Sequence, residues 1–300
     1  MLAIVIPYYK LTFFETTLQS LVNQSNKKFK VYIGDDASPE NPAGLLENYQ
    51  AKFDFYYHRF EDNLGGSSLV KQWERCLALT NNESWVLILG DDDVLDNNCV
   101  AAFYENLKEI ETLKINVIRF ATKVINSEGE PISKVHMHPK LENSIDFLKR
   151  KFKGGTRSSL SEYIFRKQIV EVIKFKDLPL AWFSDLLAVL EFSKFGLIYS
   201  INEAIVYFRL SELNITGKQD DLLLKNIATF NFYYYLLNKK STYFDISQIN
   251  ILYNSLEKCF LDNKKKLNYW MKLTRIYFVR FELKRYLNFL IKVYKSVKRR

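Results

Sequence analysis

Three acids stand side by side at Asp91, Asp92 and Asp93, after the apolar run Trp85-Val86-Leu87-Ile88-Leu89 and Gly90. Adjacent carboxylates repel, so such a run is tolerable where water is plentiful or where a cation neutralises it. Oxygen-rich clusters suit hard cations such as Mg2+ or Mn2+, which bridge a few carboxylates and a substrate diphosphate. A solvated acidic turn before the next helix is the plainer alternative. A second apolar run, Phe29-Lys30-Val31-Tyr32-Ile33-Gly34, also stops at paired acids, Asp35-Asp36. A further acid, Asp185, opens a helical stretch after Ala181-Trp182-Phe183-Ser184. A helix N-terminus favours its ionised form, although Ser184 or Asp185 could equally be an N-cap. The loop Asn63-Leu64-Gly65-Gly66-Ser67-Ser68 could cradle a phosphate through backbone N–H groups at a helix N-terminus. It matches neither a Walker A loop nor GxGxxG, and such loops are more often simple turns.

The elements that must position these groups read as an α/β pattern. Ala3–Pro7 is a short buried strand, followed by a helix over about 12–23, the strand 29–34, a helix over 41–51 and a strand over 53–59. A helix to about Leu79 leads to the strand 85–89. Strand and helix alternating in this way form a doubly wound, mostly parallel sheet flanked by helices. In such sheets ligands bind beyond the carboxyl ends of the strands, where the acids fall. A helix over about 97–111 and a strand over 116–120 follow. Residues 133–160 are polar and poorly periodic, with Gly154-Gly155-Thr156-Arg157-Ser158-Ser159 a candidate mobile loop. Leu160–Arg166 leads into a helix, a helix follows Asp185, and two short strands cover 196–200 and 204–209. Beyond residue 219 the pattern is helical, ending in one long helix over about 267–297.

Composition narrows the class. The chain has 300 residues, with 19 Tyr, 23 Phe and only 10 Gly, which suits a globular protein. Cys76, Cys99 and Cys259 form no CxxC pair and read as reduced, which points to a cytoplasmic setting. Met1–Pro7 lacks the features of a signal peptide, and no run reaches the roughly 18 apolar residues of a membrane span. The net charge of +9 is unevenly placed: Lys264 to Arg300 holds 13 basic residues and one acid, leaving about −3 for the rest. Trp270, Tyr277, Phe278, Tyr286 and Phe289 intersperse with Lys and Arg there, as in helices that lie on an anionic membrane. The alternative is that Ile276, Leu283, Leu287 and Leu290 pack inward and leave a solvated basic face.

The ordered motifs resemble inverting family 2 glycosyltransferases of the GT-A fold. Ile4-Val5-Ile6-Pro7-Tyr8-Tyr9-Lys10 is similar to the opening strand and P-x-Y-N turn, with Lys10 in place of Asn. Leu18-Gln19-Ser20-Leu21-Val22-Asn23-Gln24 resembles the S-(I/L)-x-x-Q helix. Asp35-Asp36-Ala37-Ser38 resembles D-D-G-S, Asn63-Leu64-Gly65 resembles N-x-G, and Gly90-Asp91-Asp92-Asp93 resembles the D-x-D region. Ser184-Asp185 is similar to the acid of the catalytic helix. Tyr207-Phe208-Arg209 through Asn214-Ile215-Thr216 is similar to the closing R-x-H-x-x-N-x-S segment, with Ser211 where the His usually stands.

The resemblance covers roughly residues 1–217. It implies a Rossmann-like GT-A domain over 1–218, with a nucleotide-sugar half (1–96) and an acceptor half (97–218), and a basic helical region over 219–300. Asp185 is the implied general base. Pro7, Tyr9, Asp35, Asp36, Asn63, Gly65 and Asp91 are the implied nucleotide-binding residues, with Asp35-Asp36 on the base and ribose. Asp92 and Asp93 would hold Mn2+ or Mg2+, with Asp92 the direct ligand because Gly90 occupies the first D-x-D position. Ser161, Glu162, Trp182 and Arg209 are implied on the acceptor side. Asn214, Lys218 or Arg209 could stand in for the missing His. The implied reaction moves a sugar from a nucleotide-diphosphate donor, a UDP-sugar, to a hydroxyl of a glycan or lipid-linked glycan in surface polysaccharide synthesis. It would run at the inner face of the cell membrane.

Two other classes compete. A metal-dependent nucleotidyltransferase also pairs strand-end acids with Mg2+, but Pro7-Tyr8-Tyr9-Lys10 is not its Gly- and Lys/Arg-rich phosphate loop. A nucleic-acid-binding protein is suggested by the basic pI alone. The basic residues lie in one tail and form no reader motif, so no nucleic-acid partner is expected.

Overall fold

The first strand, β1 (Leu2–Tyr8), carries apolar residues at nearly every position, and nearly all of it is buried. A strand of that kind needs cover on both faces. The computed structural model describes residues 1–212, 214, 217, 221–263 and 266–298. Beside β1 lie β2 (Phe29–Asp35) and β4 (Trp85–Ile88), both parallel to it, and β3 (Phe55–Arg59) runs parallel to β2. The linking helices are α1 (Phe14–Val22), α2 (Ala43–Glu47) and α3 (Leu69–Leu77). The expected α/β architecture, a sheet flanked by helices, is present, and the sheet is mixed.

Its second half holds β5 (Val94–Leu95), β6 (Val117–Ile125), β7 (Leu141–Asn143), β8 (Tyr163–Arg166) and β9 (Leu197–Arg209). The strand order is β3-β2-β1-β4-β8-β6-β9-β5, with β7 also on β9. The helices here are α4 (Cys99–Thr112), α5 (Ser144–Phe152), α6 (Lys167–Ile173) and α7 (Ser184–Phe192).

Several expectations need correction. Residues 163–166 form a central strand rather than the approach to a helix. β8 is antiparallel to both β4 and β6, and its Tyr163, Ile164 and Phe165 are fully buried. Four residues are too few to show a period, so neighbouring strands decide their state. The polar stretch 133–160 contains α5, whose Phe147 and Leu148 are buried and whose N-cap Asn143 accepts from the Ile145 N–H at 2.9 Å. The two strands expected over 196–209 are one strand, β9. Its pairing with β6 slips between Phe120 and Ala121, which face Ile201 and Ile205.

Contact clustering divides the chain into two compact units. The first is Met1–Asp177 with Ser184–Gln219, and the second is Leu178–Phe183 with Asp220–Arg300. The second contains α8 (Leu222–Lys239), α9 (Ile246–Leu261), α10 (Leu267–Val279) and α11 (Leu283–Lys298). Its core is aromatic: Phe230 stacks on Tyr269 with centroids 3.7 Å apart, and Phe260 packs edge-on to Phe289 at 5.1 Å. The single helix expected over 267–297 is two. Phe281 takes φ +55, and the Glu282 N–H closes on the Tyr277 carbonyl at 2.8 Å. No Gly or Pro marks that break, so the helical period runs through it in sequence. Among the described residues no helix is long and apolar enough to cross a membrane.

Candidate active site

The acidic turn follows β4, and each of its three acids is handled differently. Asp91 Oδ2 accepts the backbone N–H groups of Tyr9 (2.8 Å) and Lys10 (2.9 Å), tying down the turn after β1. Asp93 is buried. Its Oδ1 accepts the Arg209 N–H at 2.9 Å, and its Oδ2 accepts the Ser161 hydroxyl at 2.5 Å. Ser161 Oγ in turn accepts the Gly90 N–H at 3.1 Å. Asp92 lies between them, and among the described residues no hydrogen-bond donor reaches its carboxylate. Burial pushes Asp92 well above the usual carboxylate range, and the charges of Asp93 and Asp91 push it further; Lys10 and Arg209 oppose them. A cation beside Asp92 would remove that penalty.

A side chain at Gly90 would press on the carboxylates that follow it. A Cβ built there would lie 2.9 Å from Asp92 Oδ1 and 3.1 Å from Asp93 Oδ2.

Asp35 and Asp36 are both buried. Asp35 Oδ2 accepts from Tyr57 Oη (2.6 Å) and Arg59 Nη1 (2.8 Å), while its Oδ1 accepts the Ser38 N–H at 2.8 Å. Asp36 accepts the N–H groups of Leu64 (2.8 Å) and Gly65 (2.9 Å) and pairs with Arg75. Asp36 thus holds the Asn63–Gly65 loop, and Asn63 Oδ1 closes it by accepting the Gly66 N–H at 2.7 Å. Pro7 lies level with Gly34 at the end of the β1–β2 ladder, next to these acids.

On the expected acceptor side, Ser161, Glu162 and Arg209 are buried. Arg209 donates to the carbonyls of Asp92 (3.0 Å), Asn126 (2.9 Å) and Ser127 (3.0 Å), so it clamps the acidic turn to the loop after β6. Asn214 Nδ2 donates to the Arg209 carbonyl at 2.6 Å, and Ser211 is buried. Ile215, Thr216 and Lys218 lie outside the described residues. Trp182 belongs to the second compact unit, where Lys225 Nζ stands 5.0 Å from its ring centroid.

Asp185 is half-buried in the first turn of α7. Burial raises its carboxyl, and Lys151, the Leu186 N–H, its own N–H and Arg157 pull it down. It lies inside the helix, which begins at Ser184.

Arg157 was not singled out by the sequence, and it is central here. Its guanidinium stacks 4.2 Å over the Phe208 ring and stands 3.6 Å from Glu162 Oε2. Its charge acts on Asp93, Glu162 and Asp185 together. It lies in a stretch without periodicity, so no spacing marks it. Arg59 was also missed: it lies directly across from Asp35 in the β2–β3 register, a pairing that only the sheet fixes.

Among the described residues no three His, Cys, Asp or Glu side chains form a group that could hold a metal ion. Among the described residues, Asp92 has no hydrogen-bond donor.

The glycosyl transferase family 2 profile matches residues 3–168, more than half of the chain. No curated protein gave a match. Among solved structures, the chain is similar to S. aureus TarS 1–349 in complex with UDP-GlcNAc, with TM-score 0.65 and 17% identity over 86% of this chain and 72% of that one. It is also similar to S. aureus TarS, with TM-score 0.60 and 17% identity over 86% of this chain and 43% of that one. The complex of TarS 1–349 with UDP gives TM-score 0.56 at 15% identity, over 87% and 80%. These similarities show the shared fold, and the chain itself belongs to glycosyl transferase family 2, a family of glycosyltransferases.

Proposed function

We propose that this glycosyltransferase moves a sugar from a nucleotide-diphosphate donor to a hydroxyl of a glycan or lipid-linked glycan, with inversion at the anomeric carbon. The observation that carries the reading is the acidic turn after β4: Asp91 accepts from Tyr9 and Lys10, Asp93 accepts from Ser161 and Arg209, and among the described residues no donor reaches the Asp92 carboxylate between them. The TarS complexes with UDP-GlcNAc and UDP support a UDP-sugar as donor.

Sugar transfer has two electrostatic demands. The leaving diphosphate gains negative charge, and the acceptor hydroxyl must lose a proton. Asp185 takes that proton on its carboxylate. The helix N-terminus and the charges of Lys151 and Arg157 oppose the effect of burial and favour the ionised carboxylate a base needs. The hydroxyl oxygen attacks on the face opposite the leaving group, and the diphosphate departs with the bonding pair.

Bound Mn2+ or Mg2+ would neutralise the charge developing on the diphosphate. Asp92 is the residue that fits it: among the described residues no donor reaches its carboxylate, which is raised by burial and by the charges of Asp93 and Asp91. One carboxylate with substrate phosphates and water is a common set for Mg2+. Asp93 supports Asp92 from below. Asp91, with Tyr9 and Pro7, shapes the turn after β1, and Asp35, Asp36, Asn63 and Gly65 form the nucleotide side. Residues 1–218 carry this chemistry, and 219–300 attach the enzyme peripherally to the cytoplasmic face of a membrane bearing the acceptor.

The test is a panel of nucleotide sugars with Mn2+ or Mg2+, reading the released product. Nucleoside diphosphate supports the reading, and pyrophosphate would show a nucleotidyltransferase instead. Asp185→Asn is expected to lower kcat by about 10²–10⁴-fold with little change in donor affinity. Normal turnover at saturation would remove Asp185 from the role of base.

A further inference from the structure

More than half of the large apolar side chains exposed among the described residues lie beyond residue 221, in the second compact unit. They are most regular on α11, where Leu283, Leu287, Ile291, Tyr294 and Val297 are each at least half exposed. At 100° per residue these five positions fall within an arc of about 120°. Phe281, just before the helix, is 89% exposed.

The same helix has its packing face elsewhere. Phe289 and Val293 are buried, Phe289 packs on Phe260, Trp270 and Tyr277, and Lys292 pairs with Glu257 at 2.7 Å. The aromatic residues expected to meet a membrane are therefore largely used inside the unit, since Tyr277 and Phe289 are fully buried. Leu283 and Leu287, weighed as inward anchors, point outward. The outward stripe is an additional face, separate from the one that holds α11 in place.

Lys284 and Lys295 border one edge of this stripe, Lys298 falls within it, all three are exposed, and Lys298 Nζ lies 4.9 Å over the Tyr294 ring. Apart from that contact, no acid or other partner is recorded for these three among the described residues. The segment from Lys264 to Arg300 carries 13 basic residues and one acid. An apolar stripe with exposed ammonium groups along one edge matches one partner chemistry, an anionic lipid surface: the stripe enters the acyl boundary and the lysines meet the headgroups.

We propose that the outer face of α11, from Phe281 to Val297, lies in the plane of an anionic bilayer and is the surface by which this enzyme holds to the membrane. This deepens the peripheral attachment read above, while resting on none of the catalytic assignments. The Asp185→Asn variant must therefore bind vesicles as the wild type does, and failure of either reading leaves the other standing.

The test is co-sedimentation of the full chain with vesicles of phosphatidylcholine alone and of equimolar phosphatidylcholine and phosphatidylglycerol, at low and high salt. The wild type is expected to pellet with the acidic vesicles and to be released by salt. Each neutralised lysine should weaken partitioning roughly five-fold, so Lys284→Gln with Lys295→Gln should cost about 25-fold. Leu287→Asp with Ile291→Asp should weaken it by roughly tenfold or more at low salt. Circular dichroism matching wild type confirms that the exposed substitutions leave the fold intact. Wild type remaining in the supernatant at low salt, or an aspartate variant that pellets unchanged, would overturn the proposal. So would a wild-type dimer in light scattering that becomes monomeric in the aspartate variant, which would assign the face to a second copy of the chain.

Discussion

Replacing Glu162 with glutamine is expected to stabilise the protein above neutral pH. Glu162 is fully buried; its Oε2 accepts the Ser159 N–H and hydroxyl, both at 3.1 Å, and its Oε1 has no partner among the described residues. Burial outweighs the help from Arg157 and Ser159 and pushes the carboxyl from 4.5 to about 7. Between these values the folded protein holds a proton that the unfolded chain has released. Stability from this group is therefore full below about pH 4.5 and lost as pH rises to about 7. At ~1.4 kcal/mol for each tenfold in proton affinity, the whole effect is about 3 kcal/mol. Glutamine keeps the shape and cannot ionise, so the penalty above pH 7 disappears. Arg157 loses its counter-charge at 3.6 Å, which offsets part of the gain. The expected net gain at high pH is about 2 kcal/mol relative to the difference measured in acid. Urea unfolding of both proteins at several pH values, followed by tryptophan fluorescence, gives that difference directly. A difference that does not change between acid and mildly alkaline pH, or one that favours wild type more as pH rises, would refute the reasoning.

Asp92→Asn should abolish most transfer with the fold intact, at a cost of several kcal/mol in transition-state stabilisation, by order of magnitude; metal-dependent kcat/KM within a few-fold of wild type would disprove it. Ser161→Ala removes the donor to buried Asp93 and the acceptor of the Gly90 N–H, and should cost about 2–5 kcal/mol of stability in urea unfolding. Gly65→Ala places a Cβ 2.5 Å from Asp36 Oδ2, so about 1–3 kcal/mol of stability should be lost. Donor KM should rise more than kcat falls in that variant, as steady-state kinetics would show.

The sequence by itself determined where the clustered acids fall. Apolar runs that end in Asp35-Asp36 and Asp91-Asp92-Asp93 can be satisfied only by buried strands whose ends reach a polar edge. Such patterns are local: they depend on residue type and spacing within one element. The basic bias of the tail was equally legible, because charge adds without regard to conformation. What each acid does was decided only by the tertiary structure. Asp93 and Asp92 are adjacent, yet one is engaged by Ser161 and Arg209 and the other has no donor among the described residues. Those partners lie 68 and 116 residues away along the chain. The strand at 163–166 was hidden for the same reason. Four residues carry no period, and β4 and β6 supply the ladder that makes them a strand. On α11 the helical period showed an apolar stripe and left its direction open. Phe289 and Val293 took the inner face because the aromatic core of the second unit had room for them. Leu283 and Leu287 were turned outward by that choice, since one helix cannot bury two faces against a single neighbouring layer.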